Sequence, residues 1–219
     1  MTHARHTFTD EQWLRIEPLL PPCKGRPGGA HRKFFDALLW MARTGAPWRD
    51  LPERLGKWSA VYQRYAYWCR KGHFEHLFRG VQQPDLEEVM VDSTCCRAHQ
   101  ASAGARKTSG AQAIGLTRGG LNSKIHAVCD ALGNPLRFVL TPGQRHDSKL
   151  VPELLDGLQA KALLADKAYD SDKIVQSAQA KGMQVIIPSR VNSKKQRPLD
   201  WHRYRARHLV ENLFQRMKV

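Results

Sequence analysis

Asp92 closes the apolar run Val89, Met90, Val91, and Asp166 closes the run Ala162, Leu163, Leu164, Ala165. Short apolar runs ended by an acid read as buried strands that deliver a carboxylate to a sheet edge, on rigid backbone and beside solvent. An aspartate after a strand more often caps the next turn than binds a metal, so neither carries the reading alone. Glu211 adds weight, because Asp200 and Glu211 are the only acids among residues 181–219. It lies in a segment otherwise rich in arginine and apolar residues, where an acid needs a reason. At about 100° per residue from Tyr204, Arg207 falls near 300°, Glu211 near 340° and Lys218 near 320°, one stripe about 60° wide. An ordinary Arg207–Glu211 (i, i+4) pair, worth a few tenths of a kcal/mol, accounts for two of the four. A phosphodiester site accounts for all of them: Glu211 binds metal, while Arg207, Lys218 and the Tyr204 hydroxyl reach backbone oxygens.

The elements that must position these residues can be read from periodicity. The spacing predicts a strand over 88–92, a long basic glycine-containing loop over 97–123, and a hairpin of strands over 124–130 and 135–141. It further predicts a helix over about 148–159, a strand over 162–165, and a helix to about Lys181 capped by Asp170, Ser171 and Asp172. A strand over 184–187, a basic loop over 189–198 and a final helix from about Leu199 complete the order. Strands and helices in this order, with acids at strand ends, resemble the α/β ribonuclease H-like fold, a mixed sheet flanked by helices. Ahead of it, Thr9 can cap a first helix ended by Pro21 and Pro22, and further helices are expected over 31–44 and 57–71. Trp58, Val61, Tyr65 and Trp68 form a stripe expected to be core. Three short helices with a basic outer face resemble a small all-α helix-turn-helix module, with Arg64, Arg70 and Lys71 as its DNA contacts. Gln82, Gln83 and Pro84 mark the boundary between a helical DNA-binding domain, 1–84, and a ribonuclease H-like catalytic domain, 85–219.

With 219 residues, 42% of them hydrophobic, the chain is long enough for a packed core and is not a disordered tail. No run approaches the roughly 18 apolar residues of a membrane span, and the first residues hold no signal-like apolar stretch, so a soluble, intracellular protein is expected. The 5 cysteines include no C-x-x-C pair and suggest neither a disulfide framework nor a zinc ribbon; Cys69 with His73 and His76, and Cys95 and Cys96 with His99, lack structural zinc spacing. The net charge of +15 points to a polyanionic partner, with nucleic acid foremost. Its distribution is uneven. Residues 1–84 hold 14 basic and 7 acidic side chains, 85–180 hold 11 and 11, and 181–219 hold 10 and 2. A neutral, carboxylate-keeping middle between basic flanks suits an enzyme acting on bound nucleic acid.

Three segments carry a family resemblance: Val91-Asp92-Ser93-Thr94, Ala165-Asp166-Lys167-Ala168-Tyr169-Asp170, and Tyr204-x2-Arg207-x3-Glu211-x6-Lys218. They resemble the DDE motifs of bacterial insertion-sequence transposases of the insertion-sequence-five type. The stretches 123–130 and Gly143-Gln144-x2-Asp147 are similar to that family's central region, and Trp13, 47–52 and 56–58 to its leading domain. The resemblance implies a DNA transposase that hydrolyses phosphodiesters at transposon ends and transfers the freed 3′-hydroxyl into target DNA. It implies Asp92, Asp166 and Glu211 as ligands of two Mg²⁺ ions, about 4 Å apart, for which Mn²⁺ can substitute. Tyr204, Arg207 and Lys218 are then DNA-positioning residues, double-stranded DNA is the partner, and a homo-oligomer assembles on paired ends. Two other readings share the residues: a ribonuclease H-like nuclease that cuts without joining, and an inactive DNA-binding remnant. Family members continue for a few helical turns past the equivalent of Lys218, so a chain shortened at its C-terminus is also expected. Asp147 can be a neighbour of the metal site or the cap of the following helix; Asp130 is expected in the hairpin turn.

Overall fold

The structure, a computed structural model, describes residues 7–22, 29–99, 112–193 and 196–217. It divides into two compact units, Met1–Gln83 and Pro84–Val219.

In the first unit, α1 (Asp10–Ile16) starts at a capping box: the Gln12 amide donates to Thr9 Oγ1 at 3.2 Å and the Thr9 amide to Gln12 Oε1 at 3.0 Å. Two orphan amides of the first turn are thereby satisfied. The chain tightens into a 3₁₀ turn, Glu17–Leu19, where Pro18 sits. Then come α2 (Gly29–Thr44), α3 (Trp58–Arg70) and α4 (His73–Gly80). The last is a helix that periodicity did not announce: it is short, has no side-chain cap, and turns off α3 at Gly72, whose φ of 68° suits glycine. The core is aromatic. Trp68 lies edge-on to Phe34 and Phe35, at 5.3 and 5.6 Å, and Trp13 lies edge-on to Phe35 at 6.0 Å. Val61 and Trp68 of the expected core stripe are buried there, but Trp58 and Tyr65 are exposed. Successive turns of α3 drift around the axis, so the residues at 58, 62 and 65 fall on the flank of the line that packs inward.

The second unit is a six-stranded mixed sheet. Its strands are β1 (Glu88–Arg97), β2 (Gly115–Thr117), β3 (Gly120–Cys129), β4 (Pro135–Pro142), β5 (Ala162–Ala165) and β6 (Gln184–Ile186). The path is β2-β3-β1-β5-β6, with β4 also on β3. Antiparallel pairs join β1 to β3 and β3 to β4, whereas β5 runs parallel to both β1 and β6. This order is ribonuclease H-like. The expected helix over 148–159 is reduced to a 3₁₀ turn, Asp147–Lys149, and one turn of helix, α5 (Val151–Leu154), before Gly157 at φ 69°. α6 (Asp172–Ala180) is capped by Ser171, not by Asp170. The final helix is broken: α7 (Trp201–Tyr204), a 3₁₀ turn Arg205–Arg207, then α8 (His208–Met217).

Strand alternation decides what each face receives. Val89, Val91, Leu163 and Ala165 face a core with Leu154, Tyr169 and Ile174. Met90, Ala162 and Leu164 face the opposite core, closed by Val210, Leu213 and Phe214 of α8. Continuing the alternation puts Asp92 on the α8 side and Ser93 on the Tyr169 side.

Candidate active site

Asp92 does not end its strand, contrary to the reading from the apolar run alone. β1 continues to Arg97 because β3 pairs with it along its whole length, from Met90↔Cys129 to Arg97↔Asn122. What ends near Asp92 is the other neighbour: the last β1–β5 pair is Val91↔Ala165. The sheet therefore opens on one flank of β1 at residue 92. Asp166 follows the last residue of β5 directly, so each aspartate comes one residue after the final pair of two parallel strands, which run about 4.8 Å apart.

Each aspartate has one oxygen fixed by backbone. Asp92 Oδ1 accepts from its neighbour's amide, Ser93 N, at 2.8 Å. Asp166 caps the 3₁₀ turn Lys167–Tyr169, with Oδ1 accepting from Ala168 N at 2.8 Å. Asp92 Oδ2 accepts from Arg207 Nη1 at 3.0 Å, and the other guanidinium nitrogen of Arg207 pairs with Glu211. One guanidinium thus bridges the sheet carboxylate and the helix carboxylate. Asp92 and Arg207 are each 19% exposed at the side chain and Glu211 is 48% exposed, so the Asp92 arm is the less screened of the two.

Burial pushes the Asp92 carboxyl above the ordinary aspartate range; the Ser93 amide and Arg207 pull the other way, and Asp166 adds to the rise. Burial opposes the charge on Arg207, but Asp92 and Glu211 outweigh it and hold the guanidinium protonated. A partly desolvated aspartate beside a second carboxylate needs a positive partner, and Arg207 supplies it. Oxygen donors from carboxylates suit a hard divalent cation, so Asp92 and Asp166 fit one chemically. Among the described residues no three His, Cys, Asp or Glu side chains stand close enough to hold an ion as they are. Glu211 joins the two aspartates only if its ion pair with Arg207 opens.

Under the sheet lies a polar layer that the sequence reading did not resolve. Tyr169 is buried, and its hydroxyl has no hydrogen-bond partner of good geometry among the described residues. Burial raises its pKa, Asp147, Asp92 and Asp166 raise it further, and the nearby Ser93 side chain pulls the other way. Lys124 Nζ donates to Asp147 Oδ1 at 2.9 Å and to the Arg145 carbonyl at 3.1 Å. Asp147 is therefore an ion-pair partner, and the turns and helix that follow it have no side-chain cap. His126, wholly buried, meets Thr141 Oγ1 at 2.9 Å; burial lowers its pKa and keeps the ring neutral. The alternation of 124–129 held the signal, since Lys124 and His126 share a face.

Asp170 also departs from its expected role as a cap. It accepts from the Arg190 amide at 2.7 Å and pairs with Arg197, tying the basic segment beyond β6 to the Asp166 turn. The Arg190 amide and the Arg197 guanidinium outweigh burial and hold its pKa below the ordinary aspartate range. Asp130 does belong to the β3–β4 turn, accepting from the Leu132 and Asn134 amides at 3.0 and 2.8 Å.

Of the expected DNA contacts, Tyr204 packs against the α8 core, edge-on to Trp201 at 5.8 Å. The 3₁₀ turn after it eclipses positions three apart, which brings Tyr204 and Arg207 closer in angle than a regular helix would. Lys218 lies outside the described residues. Arg70 and Lys71 are exposed at the end of α3. The Arg64 guanidinium lies over the Phe34 ring at 4.4 Å and the Trp68 ring at 5.5 Å, and it meets His31 Nδ1 at 2.5 Å. Cation–π attraction and a half-buried position turn this charge toward the core and away from an outer basic face.

A ribonuclease H-like mixed sheet with one aspartate on β1 and a second directly after the parallel strand β5, and a helix glutamate tied to the first through an arginine, defines a nucleic-acid-processing class. The comparisons narrow it. A profile described as "Transposase DDE domain" matches residues 83–219, and one described as "Putative transposase of IS4/5 family" matches residues 8–78. The chain belongs to the DDE transposase family of insertion-sequence elements. "Uncharacterized protein y4sN" of Sinorhizobium fredii is 49% identical over 105 residues, covering 46% of this chain and 84% of that protein. "Putative transposase for insertion sequence element IS6501" of Brucella ovis is 35% identical over 101 residues, 45% of this chain and 77% of that protein. Among solved structures, a piggyBac transposase synaptic complex with hairpin DNA matches at TM-score 0.46 and 15% identity. That match covers 87% of this chain and 50% of the other, so the chain spans half the length of that protein.

Proposed function

We propose that the protein cuts DNA at the ends of its insertion sequence and joins the freed 3′-hydroxyl to target DNA, with Asp92, Asp166 and Glu211 as the catalytic carboxylates. The observation that carries this is the Arg207 bridge: one cation now occupies the position between a sheet aspartate and a helix glutamate, next to a second aspartate. Asp92, Asp166 and Glu211 would hold Mg²⁺. Bound there, divalent ions would activate the attacking oxygen and stabilise the leaving one.

The chain's own residues do the rest. The Ser93 and Ala168 amides fix one oxygen of each aspartate, so the two carboxylates do not have to be ordered during the reaction. Arg207, released from Glu211, becomes a guanidinium fork for a phosphate of the DNA backbone. Tyr204 and Lys218 belong to the same DNA-positioning set in this reading. Residues 1–84 form the DNA-binding domain, 85–219 the catalytic domain, and the partner is double-stranded DNA. A homo-oligomer assembled on paired ends, working in the cytoplasm at nucleoid DNA, completes the proposal. Among the described residues no helix is long and apolar enough to cross a membrane.

The test is cleavage and strand transfer on end-sequence DNA with Mg²⁺. Loss of several kcal/mol of transition-state stabilisation corresponds to a fall on the order of 10³-fold or more, which Asp92→Ala and Asp166→Ala should each show with DNA binding retained. Nicking without joined product would instead favour a nuclease, and unchanged activity in both variants would refute the assignment.

A further inference from the structure

The helix α3 carries a row of partly exposed aromatic rings along the flank of its buried face. Trp58, Tyr62 and Tyr65 follow one another at i, i+4 and i+7, and are 37%, 44% and 36% exposed. Such spacing puts them in one line along the helix, over about 10 Å at 1.5 Å per residue. Trp48, from the turn before α3, braces the row: its ring lies 5.4 Å from Tyr62 and 5.2 Å from Tyr65. The guanidinium of Arg49 lies over the Trp58 ring at 5.8 Å. From Trp48 to Lys71 the chain holds six basic side chains, of which Arg64 turns inward, against two acidic ones, Asp50 and Glu53.

A solvent-facing helix side is normally polar, and contiguous exposed apolar surface marks an interaction site. The charge selects the partner. A second copy of this face would bring like charges together, whereas a nucleic-acid strand supplies both phosphates for the basic side chains and flat π faces for the rings. In a duplex the base faces are covered by stacking and only their edges reach the grooves. Rings therefore find base faces only where nucleotides are unpaired or turned out of the helix.

We infer that the Trp58, Tyr62 and Tyr65 row, braced by Trp48, is a stacking platform for two or three unpaired nucleotides of a DNA strand. The inference rests on the reading of the first unit as DNA-binding and adds the form of DNA that this helix engages. Tyrosine and tryptophan lose little side-chain freedom on stacking, so the braced rings are prepared for such contact.

The test uses the full chain, a fluorescent single-stranded oligonucleotide of about 12 nucleotides and the duplex of the same sequence, read by anisotropy over a series of salt concentrations. Tyr62→Ala, with folding checked by far-ultraviolet circular dichroism, should weaken single-strand binding roughly tenfold, as loss of one base–aromatic stack does. Duplex affinity should stay within about twofold, and the salt slope should not change, because no phosphate contact is removed. Tyr62→Phe should bind like the parent chain. Arg70→Gln should weaken both forms and flatten the slope. Equal losses on both DNA forms, or none, would overturn the platform while leaving the DNA-binding reading standing. A parent chain that binds neither form would overturn that reading itself. Conversion of a dimer to a monomer by Tyr62→Ala, with single-strand binding intact, would assign the row to self-association and overturn the inference.

Discussion

In the helical unit, large aromatic side chains stand in solvent along α3, whereas in the sheet unit His126, Asp130, Thr141 and Asp170 lie in the interior. The helical unit packs its interior mostly with rings, edge to face, and its buried His31 meets the Pro21 carbonyl and Arg64. The sheet unit holds Asp130 and Asp170 with backbone amides and an ion pair, and sets His126 against Thr141. Both depart from the usual sorting of apolar inside and polar outside. A helix can turn part of its circumference outward without losing its core contacts. A sheet strand covered on both faces cannot, so polar groups near its chemistry must be buried and held. The two units therefore differ in what a substitution should do: loss of binding with little change in stability for the rings of α3, and loss of stability for the interior of the sheet unit.

The largest stability effect is expected in the sheet core. Leu163 is wholly buried in β5, the strand that carries Asp166. Leu163→Ala should cost about 2–5 kcal/mol, read from urea unfolding, against less than about 0.5 kcal/mol for the exposed Tyr62→Ala. Equal costs would erase the contrast between the units.

Asp170→Ala comes next. It leaves the Arg197 guanidinium and the Arg190 amide without their acceptor, at about 1–3 kcal/mol. The pH dependence has a definite sign: a carboxyl held below its ordinary range stabilises the fold above that range, about pH 4, and the contribution fades as pH falls through the depressed value. The parent chain should lose stability on acidification below about pH 4, and the variant should lose less over the same interval. Urea midpoints at stepwise lower pH measure both.

The smallest effect is expected at Tyr169. Its buried hydroxyl has no well-formed hydrogen bond, so Tyr169→Phe should change the unfolding free energy by less than about 0.5 kcal/mol or stabilise slightly. A loss above 2 kcal/mol would show that the hydroxyl is an anchored member of the polar layer beneath Asp92.

Much of this architecture was legible in the residues. The run 162–165 is short, fully apolar and closed by an acid, and β5 occupies those four residues. Thr9 and Gln12 signal the start of α1 because capping is local. What escaped depends on partners distant in sequence. Ser93, Thr94, Cys95 and Cys96 lack strand-like alternation, and they are strand because β3 pairs with them. The helix expected over 148–159 shortens because Pro152 opens α5 and a positive-φ glycine follows it. Arg64 looked like surface because a helical wheel does not show that Phe34 and Trp68 lie beneath its guanidinium. At the site, the acids could be chosen one by one from their positions. Arg207 standing between Asp92 and Glu211 could not, since it depends on α8 packing over the face that alternation gives to Asp92.

The central claim is that these carboxylates converge on divalent metal once Arg207 withdraws. A crystal structure grown with Mn²⁺, with anomalous scattering used to find the ion, tests this most directly. The account predicts manganese in contact with Asp92, Asp166 and Glu211, and the Arg207 guanidinium released from Glu211. Crystals at saturating Mn²⁺ that show no anomalous peak there, with Arg207 still bridging Asp92 and Glu211, would contradict it.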